Sequence, residues 1–480
     1  MNRLWMMMAV GLLLVACSDG KRELREDELS AFGKYVNDLD SAIQGKWFTR
    51  MGVSEDADSM LAYLRRELPR NGLDTSAFFI PQIAEDLAIV RSLAFDSVGQ
   101  NINELLPRLD DNLTKAYIDY TTGQRYGFVR PDKVFNRLQL TPDSNGYVRL
   151  FDYNVEAPDD EEAEQKISSG DRMNFLYSAQ PSGYVYKALQ NQYVLTKNKE
   201  DRIRLAVNME RCRWKMKHPD ERERMVFINI PSQQLWAVCP DSVVNMRICC
   251  GATTTKSPLL CSEISYMQVN PEWIIPQKIV DSDIVRHAGD SSYFIRNRYF
   301  IVERSSGDTL NAADVTSSQL TSGKLRVGQR SGAGNSLGRI VFRFNNNFSV
   351  YLHDTNNRGA FNRDRRTLSH GCIRVEKPFE LACFLLTDAD DWLKDKIRIS
   401  MDLPPETDQG KEYLEEHADD EKPYRLISYK EVSPKVPVYL VYYTAYPNPE
   451  TGFVETWPDL YGYDKVIIKE MEPYLQSSIH

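Results

Sequence analysis

The feature that most constrains the fold of this 480-residue chain is a change of hydrophobic period at Met225. Before it, apolar residues recur every three or four positions, and Leu105 to Tyr120 is the clearest amphipathic helix pattern. After it, Val226, Ile228 and Ile230 occupy every second position, which is the period of a strand. The predicted fold class is therefore α+β, with a helical N-terminal region followed by a β-rich domain.

More strand patterns follow along the second half of the chain. They are Gln234 to Val238, Val243 to Cys250, Ile264 to Val269, Tyr299 to Glu303, Arg339 to Phe344, Phe348 to Leu352 and Val438 to Tyr443. The sequence between Asn270 and Gly338 is less regular, which indicates a segment inserted into the β-rich domain. Its glycines do not form a dinucleotide-binding fingerprint, because the final spacing differs and a strand follows instead of a helix.

The charge balance counts against one class of partner. The chain has 59 Lys and Arg against 68 Asp and Glu, a formal net charge of −9. Nucleic-acid binding relies on basic surface that displaces counterions from phosphates, so an acidic chain is not expected to bind DNA or RNA broadly. No apolar run reaches the roughly 18 residues that span a bilayer, so we do not expect an integral membrane protein.

The amino terminus has the pattern of a secretory signal. Arg3 precedes an apolar stretch from Leu4 to Val15, and a charged run follows. The tetrad Leu14 to Cys17 resembles a bacterial lipobox, in which the cysteine becomes the lipid-modified first residue of the mature protein. Ser18, in place of Asp, implies sorting to the outer membrane. The resemblance therefore implies a periplasmic lipoprotein of a Gram-negative bacterium, anchored through Cys17.

Seven cysteines remain after Cys17: Cys212, Cys239, Cys249, Cys250, Cys261, Cys372 and Cys383. Their spacing shows no dense disulfide framework, and their number is odd. Buried thiols are the preferred interpretation of most of them. Cys372 differs because of its neighbours.

Residues with catalytic potential concentrate between His353 and Arg374. Two of the six histidines, His353 and His370, lie close to Cys372 in sequence. A thiol becomes a good nucleophile when a base or a positive neighbour stabilises the thiolate. In an extended segment His370 and Cys372 would face the same way. Gly371 lets the backbone approach a substrate, and amide groups there could hold an oxyanion.

The residue types alone leave three other interpretations open. These are a buried cysteine beside surface histidines, an ordinary strand turn, and a zinc site that uses His-x-Cys as two ligands. Zinc is less favoured because no second close-spaced ligand pair and no His-Glu-x-x-His sequence accompany the motif. Cysteine acyl transfer therefore ranks ahead of zinc binding.

His353, followed sixteen positions later by the start of Ser369-His370-Gly371-Cys372, resembles the signature of the L,D-transpeptidase (YkuD) catalytic domain. The flanking segments that strengthen the resemblance are Asn208 to Trp214, Asn229 to Pro231, Asn270 to Pro276, Ser336 to Arg339, Val350 to Thr355 and Val438 to Tyr442. Together they are similar to the large, scaffold-bearing YcbB-like branch over roughly 202–464. No peptidoglycan-binding repeat of the kind that many relatives insert is recognisable.

The resemblance implies catalytic roles for the residues that match the motif. Cys372 is the nucleophile, and His353 is the general base, oriented by the backbone carbonyl of Asp354. Backbone N–H groups at Gly371 and Cys372 stabilise the tetrahedral oxyanion. His370 shapes substrate binding or the polarity of the thiolate.

The resemblance also implies substrate-binding candidates, namely Ser369, Arg374, Tyr351 and Trp273. Arg374 is assigned to a substrate carboxylate, with a structural salt bridge as an equal alternative. Tyr351 and Trp273 are candidates for the cleft wall, although aromatic core packing is the commoner role of such residues.

The implied function is peptidoglycan L,D-transpeptidation. Cys372 would form a thioester with the third stem residue, expel the terminal D-alanine, and pass the acyl group to an amine of a second stem as a 3–3 cross-link. Water as acceptor would give an L,D-carboxypeptidase. A non-catalytic, lipid-anchored wall-binding scaffold is the alternative from another class. The resemblance implies no metal and no organic cofactor. It implies inhibition by carbapenems. Cell-wall synthesis proteins are candidate partners of the helical region.

These patterns predict six segments. They are a lipoprotein signal peptide at 1–16, a lipid-anchored tether at 17–29, a helical scaffold domain at 30–200, a connecting helix at 201–224, the catalytic domain at 225–450 with a capping insert at about 275–337, and a C-terminal segment at 451–480.

Overall fold

The computed structural model describes residues 26, 33–34, 46–49, 52–92, 99–137, 150–216, 223–420 and 424–476. The predicted signal peptide and Cys17 lie outside these ranges. Within them, no helix combines the length and the apolar character that crossing a bilayer requires. The chain divides into two compact units, one of residues 1–128, 157–206 and 471–480, the other of residues 129–156 and 207–470.

The first unit is helical and centres on the helix Ile102–Tyr126. Leu106, Leu109 and Leu113 form its buried stripe, which confirms the amphipathic helix predicted from Leu105 to Tyr120. Its other longer helices are Glu55–Arg70, Ile80–Ser92, Asp160–Ile167, Arg172–Ser178, Tyr184–Leu195 and the start of Lys199–Arg213. The strands β1 (Phe48–Thr49) and β2 (Gly52–Val53) form a small hairpin.

The second unit is built on β-strands. They are β3 (Met225–Asn229), β4 (Gln234–Cys239), β5 (Ser242–Gly251), β6 (Leu260–Val269), β7 (Trp273–Ile274), β8 (Tyr299–Glu303), β9 (Thr309–Leu310), β10 (Leu325–Gln329), β11 (Ile340–Phe344), β12 (Leu352–His353), β13 (Thr367–Ser369), β14 (Ile373–Val375), β15 (Tyr429–Val441), β16 (Ala445–Pro447) and β17 (Val454–Thr456). The helices Pro378–Leu385, Asp391–Ser400, Asp408–Glu416 and Tyr463–Met471 accompany them. The predicted α+β class is thus confirmed.

Within the described residues, nine strands form the main sheet in the order β13-β5-β14-β12-β11-β6-β15-β3-β4. Because β4 also pairs with β5, the sheet closes on itself like a barrel. A second sheet, β7-β10-β8-β9, falls largely within the predicted insert. It encloses its own apolar core of Ile275, Val280, Ile284, Phe294, Ile301, Val315, Leu320, Leu325 and Val327.

Two details differ from the sequence predictions. The expected strand from Phe348 to Leu352 is limited to Leu352–His353, because Ser349 has a positive φ of 55° and the Asn346 side chain bonds both backbone groups of Val350. The described residues of 129–137 and 150–156, expected in the helical scaffold, belong to the second unit. The reason is backbone pairing: Leu259 N–H donates to the Leu150 carbonyl at 2.8 Å.

Candidate active site

His353 ends a short strand inside the closed sheet, as the sequence predicts. It pairs with Val341 of β11 on one side and with Arg374 of β14 on the other. The residue is 5% exposed. Because strands flank it on both sides, the backbone that carries the imidazole is held in a fixed position.

The sheet register places the main candidates on one face. Paired residues in neighbouring strands point to the same side, as do residues two apart along a strand. His353 pairs with Arg374, Tyr351 stands two residues before His353, and Cys372 stands two residues before Arg374. The rings of Tyr351 and His353 meet edge to face, with centroids 5.7 Å apart. Tyr351 therefore contacts both His353 and Cys372.

A tight turn between β13 and β14 presents Cys372. Gly371 has φ +120°, a conformation that side chains with a Cβ rarely adopt. The segment is therefore not extended at this point, so the condition under which His370 and Cys372 would face the same way is not met. The Ser257 hydroxyl holds the turn by donating to the Gly371 carbonyl at 2.7 Å.

Ser369 serves this turn from within. Its hydroxyl donates to the Cys372 carbonyl at 2.5 Å and accepts the Gly371 N–H at 3.1 Å. Ser369 is also buried, so the structure places it as a support of the loop and not, as predicted, against a substrate. The Gly371 N–H is occupied for the same reason, which corrects its assignment to the oxyanion. Within the described residues, no hydrogen bond engages the Cys372 N–H, which is left as the backbone donor beside the thiol.

Hydrogen bonds and charges surround the Cys372 thiol. Burial raises its pKa, while the Tyr351 backbone N–H and hydroxyl, with the charges of Arg343 and Arg374, act in the opposite direction. The Tyr351 hydroxyl also interacts with Trp273. A neutral thiol is thus the resting form, and the groups around it stabilise negative charge when the proton leaves.

The imidazole of His353 is held neutral. Burial, and then the nearby Arg374 charge, lower its pKa to about 3. The carbonyls of Asp354 and Leu337 act in the opposite direction. Nδ1 is buried and forms no hydrogen bond within the described part of the chain. An orienting bond from the imidazole to the Asp354 carbonyl stays a prediction. A neutral imidazole can accept a proton, as a general base must.

The Asp354 carboxylate has a structural role. It accepts the Arg339 N–H at 2.9 Å and pairs with Arg358, also at 2.9 Å. It is buried against Gly338, where any Cβ would collide with it.

An open groove of about 1070 Å³ adjoins Tyr351. Trp273, Arg343 and Glu272 contribute to its walls. Trp273 and Tyr351 line this groove and are only partly buried, and their contact with a substrate stays a prediction. Arg343 was not predicted, and its signal in the sequence is a single charge inside the otherwise apolar strand Ile340–Phe344.

Comparisons with known proteins agree with this geometry. Residues 223–399 match the family model described as the L,D-transpeptidase catalytic domain, YkuD. This part of the chain is therefore similar to YkuD catalytic domains. Residues 41–192 match the family model described as a Scaffold domain. A relative from Haemophilus influenzae, named "Putative L,D-transpeptidase", is 28% identical over 373 residues, which cover 74% of this chain and 69% of the relative. These matches support a transpeptidase-type enzyme.

His370 and Arg374, the two other residues predicted for the site, lie in different environments. The His370 side chain is 51% exposed, and its Nε2 lies 3.6 Å from Asp283 of the insert. The Nε of Arg374 is buried, and within the described ranges it has no hydrogen-bond partner. No ion pair of Arg374 occurs there either, so the structural salt bridge considered for it is not found. Among the described residues, no three potential metal ligands cluster.

Proposed function

We propose that this protein is a peptidoglycan L,D-transpeptidase that forms 3–3 cross-links through a thioester on Cys372. The observation that carries the proposal is the grouping of Cys372, Tyr351 and neutral His353 on one face of the sheet in a YkuD domain. A thiol beside a neutral base suits acyl transfer, because the base takes the proton as the sulfur attacks.

In the first half-reaction, Cys372 attacks the carbonyl of the third stem residue while its proton passes to His353. The Cys372 N–H stabilises the oxyanion of the tetrahedral intermediate, an effect worth about 10²–10³ in rate for one such donor. His353 then returns the proton to the amine of the departing D-alanine. The carbon–nitrogen bond breaks, and a thioester remains on Cys372.

In the second half-reaction, an amine of another stem attacks the thioester. His353 accepts the amine proton, the new amide bond forms, and the sulfur leaves and regains the proton. Water in the place of the amine yields a trimmed tripeptide, the carboxypeptidase outcome. Asp283 of the insert lies beside the exposed His370. This contact would limit the access of water to the turn that carries Cys372, and so favour attack on the thioester by the amine over hydrolysis.

Digestion of isolated peptidoglycan with the purified protein tests the choice of acceptor. Mass spectrometry of the muropeptides should show 3–3 cross-linked dimers and free D-alanine, and neither with the Cys372→Ala variant. Tripeptides without dimers would identify a carboxypeptidase instead. Muropeptide binding without any product, unchanged by Cys372→Ala, would identify a wall-binding scaffold.

The proposed location is the periplasm of a Gram-negative bacterium, with the protein anchored to the outer membrane through lipidated Cys17. The support is the lipobox resemblance of Leu14 to Cys17 and the peptidoglycan substrate of the proposed reaction. Metabolic labelling with palmitate should mark the wild type and not Cys17→Ala. Equal labelling of both would contradict the anchor. Cell-wall synthesis proteins are the proposed partners of the helical region.

The same mechanism makes the protein a carbapenem target. The thiolate of Cys372 would open the β-lactam ring and retain the drug as an acyl adduct. Intact mass measurement should show this adduct on the wild type, and its absence there would count against a reactive Cys372.

A further inference from the structure

We infer that Arg343 recognises the free C-terminal carboxylate of the donor stem, the carboxylate of the residue that is expelled. This inference rests on the proposed function and adds to it the determinant of donor length. It assigns a binding role to a residue outside the His353 and Ser369-His370-Gly371-Cys372 motif.

The register of the sheet places Arg343 beside the reacting groups. Val341 pairs with His353, so Arg343, two residues on, stands opposite Tyr351 on the same face. Its guanidinium carbon lies 4.2 Å from the centroid of the Tyr351 ring. The Tyr351 hydroxyl in turn interacts with Cys372. One tyrosine ring therefore separates the guanidinium from the nucleophile.

Two contacts hold the Arg343 side chain in place. Its Nε donates to Oε1 of Gln268 at 3.2 Å, and its guanidinium forms a cation–π contact with the Tyr351 ring. Both contacts restrict the long side chain before any ligand binds, so less conformational entropy is lost on binding. The two terminal amino groups take part in neither contact.

Those amino groups have no carboxylate partner. Within the described residues, no Asp or Glu oxygen lies within 4.0 Å of Arg343, whereas Arg358 and Arg247 of the same unit each pair with one. Glu272 shares the groove with Arg343 but forms no ion pair with it. An anchored guanidinium that opens on a groove is suited to a carboxylate, which it binds through two parallel hydrogen bonds.

The chemistry of the donor supplies a carboxylate at this distance. When the scissile carbonyl lies at the Cys372 sulfur, the leaving residue follows directly, and a single carbon separates its nitrogen from its carboxylate. The charge of Arg343 already acts on both Cys372 and His353. A donor that ends one residue after the scissile bond places its carboxylate at Arg343, and a longer or amidated donor does not.

The test compares two synthetic donors, the tetrapeptide stem and its C-terminal amide. Release of D-alanine or D-alaninamide is followed by liquid chromatography and mass spectrometry for the wild type, Arg343→Gln and Arg343→Lys. The wild type should prefer the free carboxylate by about 10- to 100-fold in kcat/KM, the range of a hydrogen bond to a charged group. Arg343→Gln should reduce this preference to within about threefold, and Arg343→Lys should retain part of it.

Arg65→Gln is the matched control, because Arg65 is exposed in the helical unit and loses the same charge. It should keep the wild-type preference. An equal loss of kcat/KM on both donors in Arg343→Gln, or an unchanged preference, would overturn the role of Arg343 and leave the proposed reaction intact. A wild type that processes neither donor would overturn the proposed function and this assignment with it.

Discussion

Two buried polar clusters of the second unit differ in how completely their hydrogen bonds are satisfied. The first surrounds Glu210, whose carboxylate accepts the Val129 N–H at 2.8 Å, the Trp214 indole at 3.1 Å and Arg213 at 3.2 Å. The second is the candidate active site, where Nδ1 of His353 and Nε of Arg374 are buried without a hydrogen bond inside the described residues. In both clusters these polar atoms are buried.

The difference separates groups that stabilise the fold from groups that are kept for a ligand. An unsatisfied buried polar atom costs about 1–3 kcal/mol, so folded proteins contain few of them. The Glu210 cluster avoids that cost completely. The active site carries this cost at His353 and Arg374. In the proposed reaction the first residue accepts a proton, and the second supplies a positive charge near the thiol.

The largest expected effect tests the unsatisfied cluster. His353→Ala removes the general base, and release of D-alanine from a tetrapeptide stem should fall by about 10²- to 10⁴-fold. His417→Ala is the control, because His417 lies outside the groove, directly after the helix Asp408–Glu416, and contacts Tyr413. Turnover of His353→Ala within about threefold of the wild type would remove His353 from the mechanism.

The satisfied cluster should instead respond in stability. Glu210→Ala removes the carboxylate that pairs with Arg213, and both side chains are fully buried. The free energy of unfolding in urea should fall by about 3–5 kcal/mol. Glu161→Ala, at an exposed position, should change it by less than about 0.5 kcal/mol. Similar values for the two variants would show that the Glu210 network does not support the fold.

Asp110 of the helical unit extends the comparison to a buried carboxylate without a proposed ligand. Its Oδ1 has no hydrogen bond among the described residues, and burial raises its pKa from 3.8 to about 6. A raised folded-state pKa means that stability is full below pH 3.8 and is lost as the pH rises through 6.

Asp110→Asn should therefore stabilise the protein by about 1–3 kcal/mol at pH 7, and the gain should vanish below about pH 4. Urea unfolding at both pH values checks this. A gain of equal size at both values would show that charge burial is not its cause.

The smallest expected effect concerns the hydroxyl of Tyr351, the residue that contacts both Cys372 and His353. Tyr351→Phe removes a hydrogen bond that favours the thiolate, so the pKa of Cys372 should rise further. Alkylation of Cys372 by iodoacetamide at pH 8 should slow by about 2- to 12-fold, and its pH profile should move to higher pH. Tyr429→Phe, exposed on β15, is the control. An unchanged profile would leave Tyr351 as a packing residue.

Local patterns predicted much of this architecture. The change of hydrophobic period at Met225 predicted the α+β fold class. The alternation of apolar residues from Phe348 to Leu352 predicted that a strand ends at His353. The motif predicts that His353 and Cys372 belong to one site. In the fold, His353 lies in β12, Cys372 directly precedes β14, and these two strands pair. Trp273 and Tyr351 were candidates for the cleft on resemblance, and both line the groove.

Long-range pairing was beyond the sequence. The position of Leu150 depends on a backbone bond to Leu259, and Arg343 matters because of its register against Tyr351, which a single strand cannot reveal. The occupied Gly371 N–H depends on the rotamer of Ser369, which is a local contact. Composition and hydrophobic period reveal neither strand pairing nor a side-chain rotamer.

The central claim is a thioester on Cys372, and rapid-quench intact mass measurement with a tetrapeptide stem tests it most directly. The wild type, mixed with a stem whose amines are acetylated and quenched in acid, should gain the mass of the acetylated stem minus D-alanine. The adduct should map to the peptide that contains Cys372 and disappear with hydroxylamine. Formation of product by the wild type without such an adduct, or an adduct on Cys372→Ala, would contradict the account.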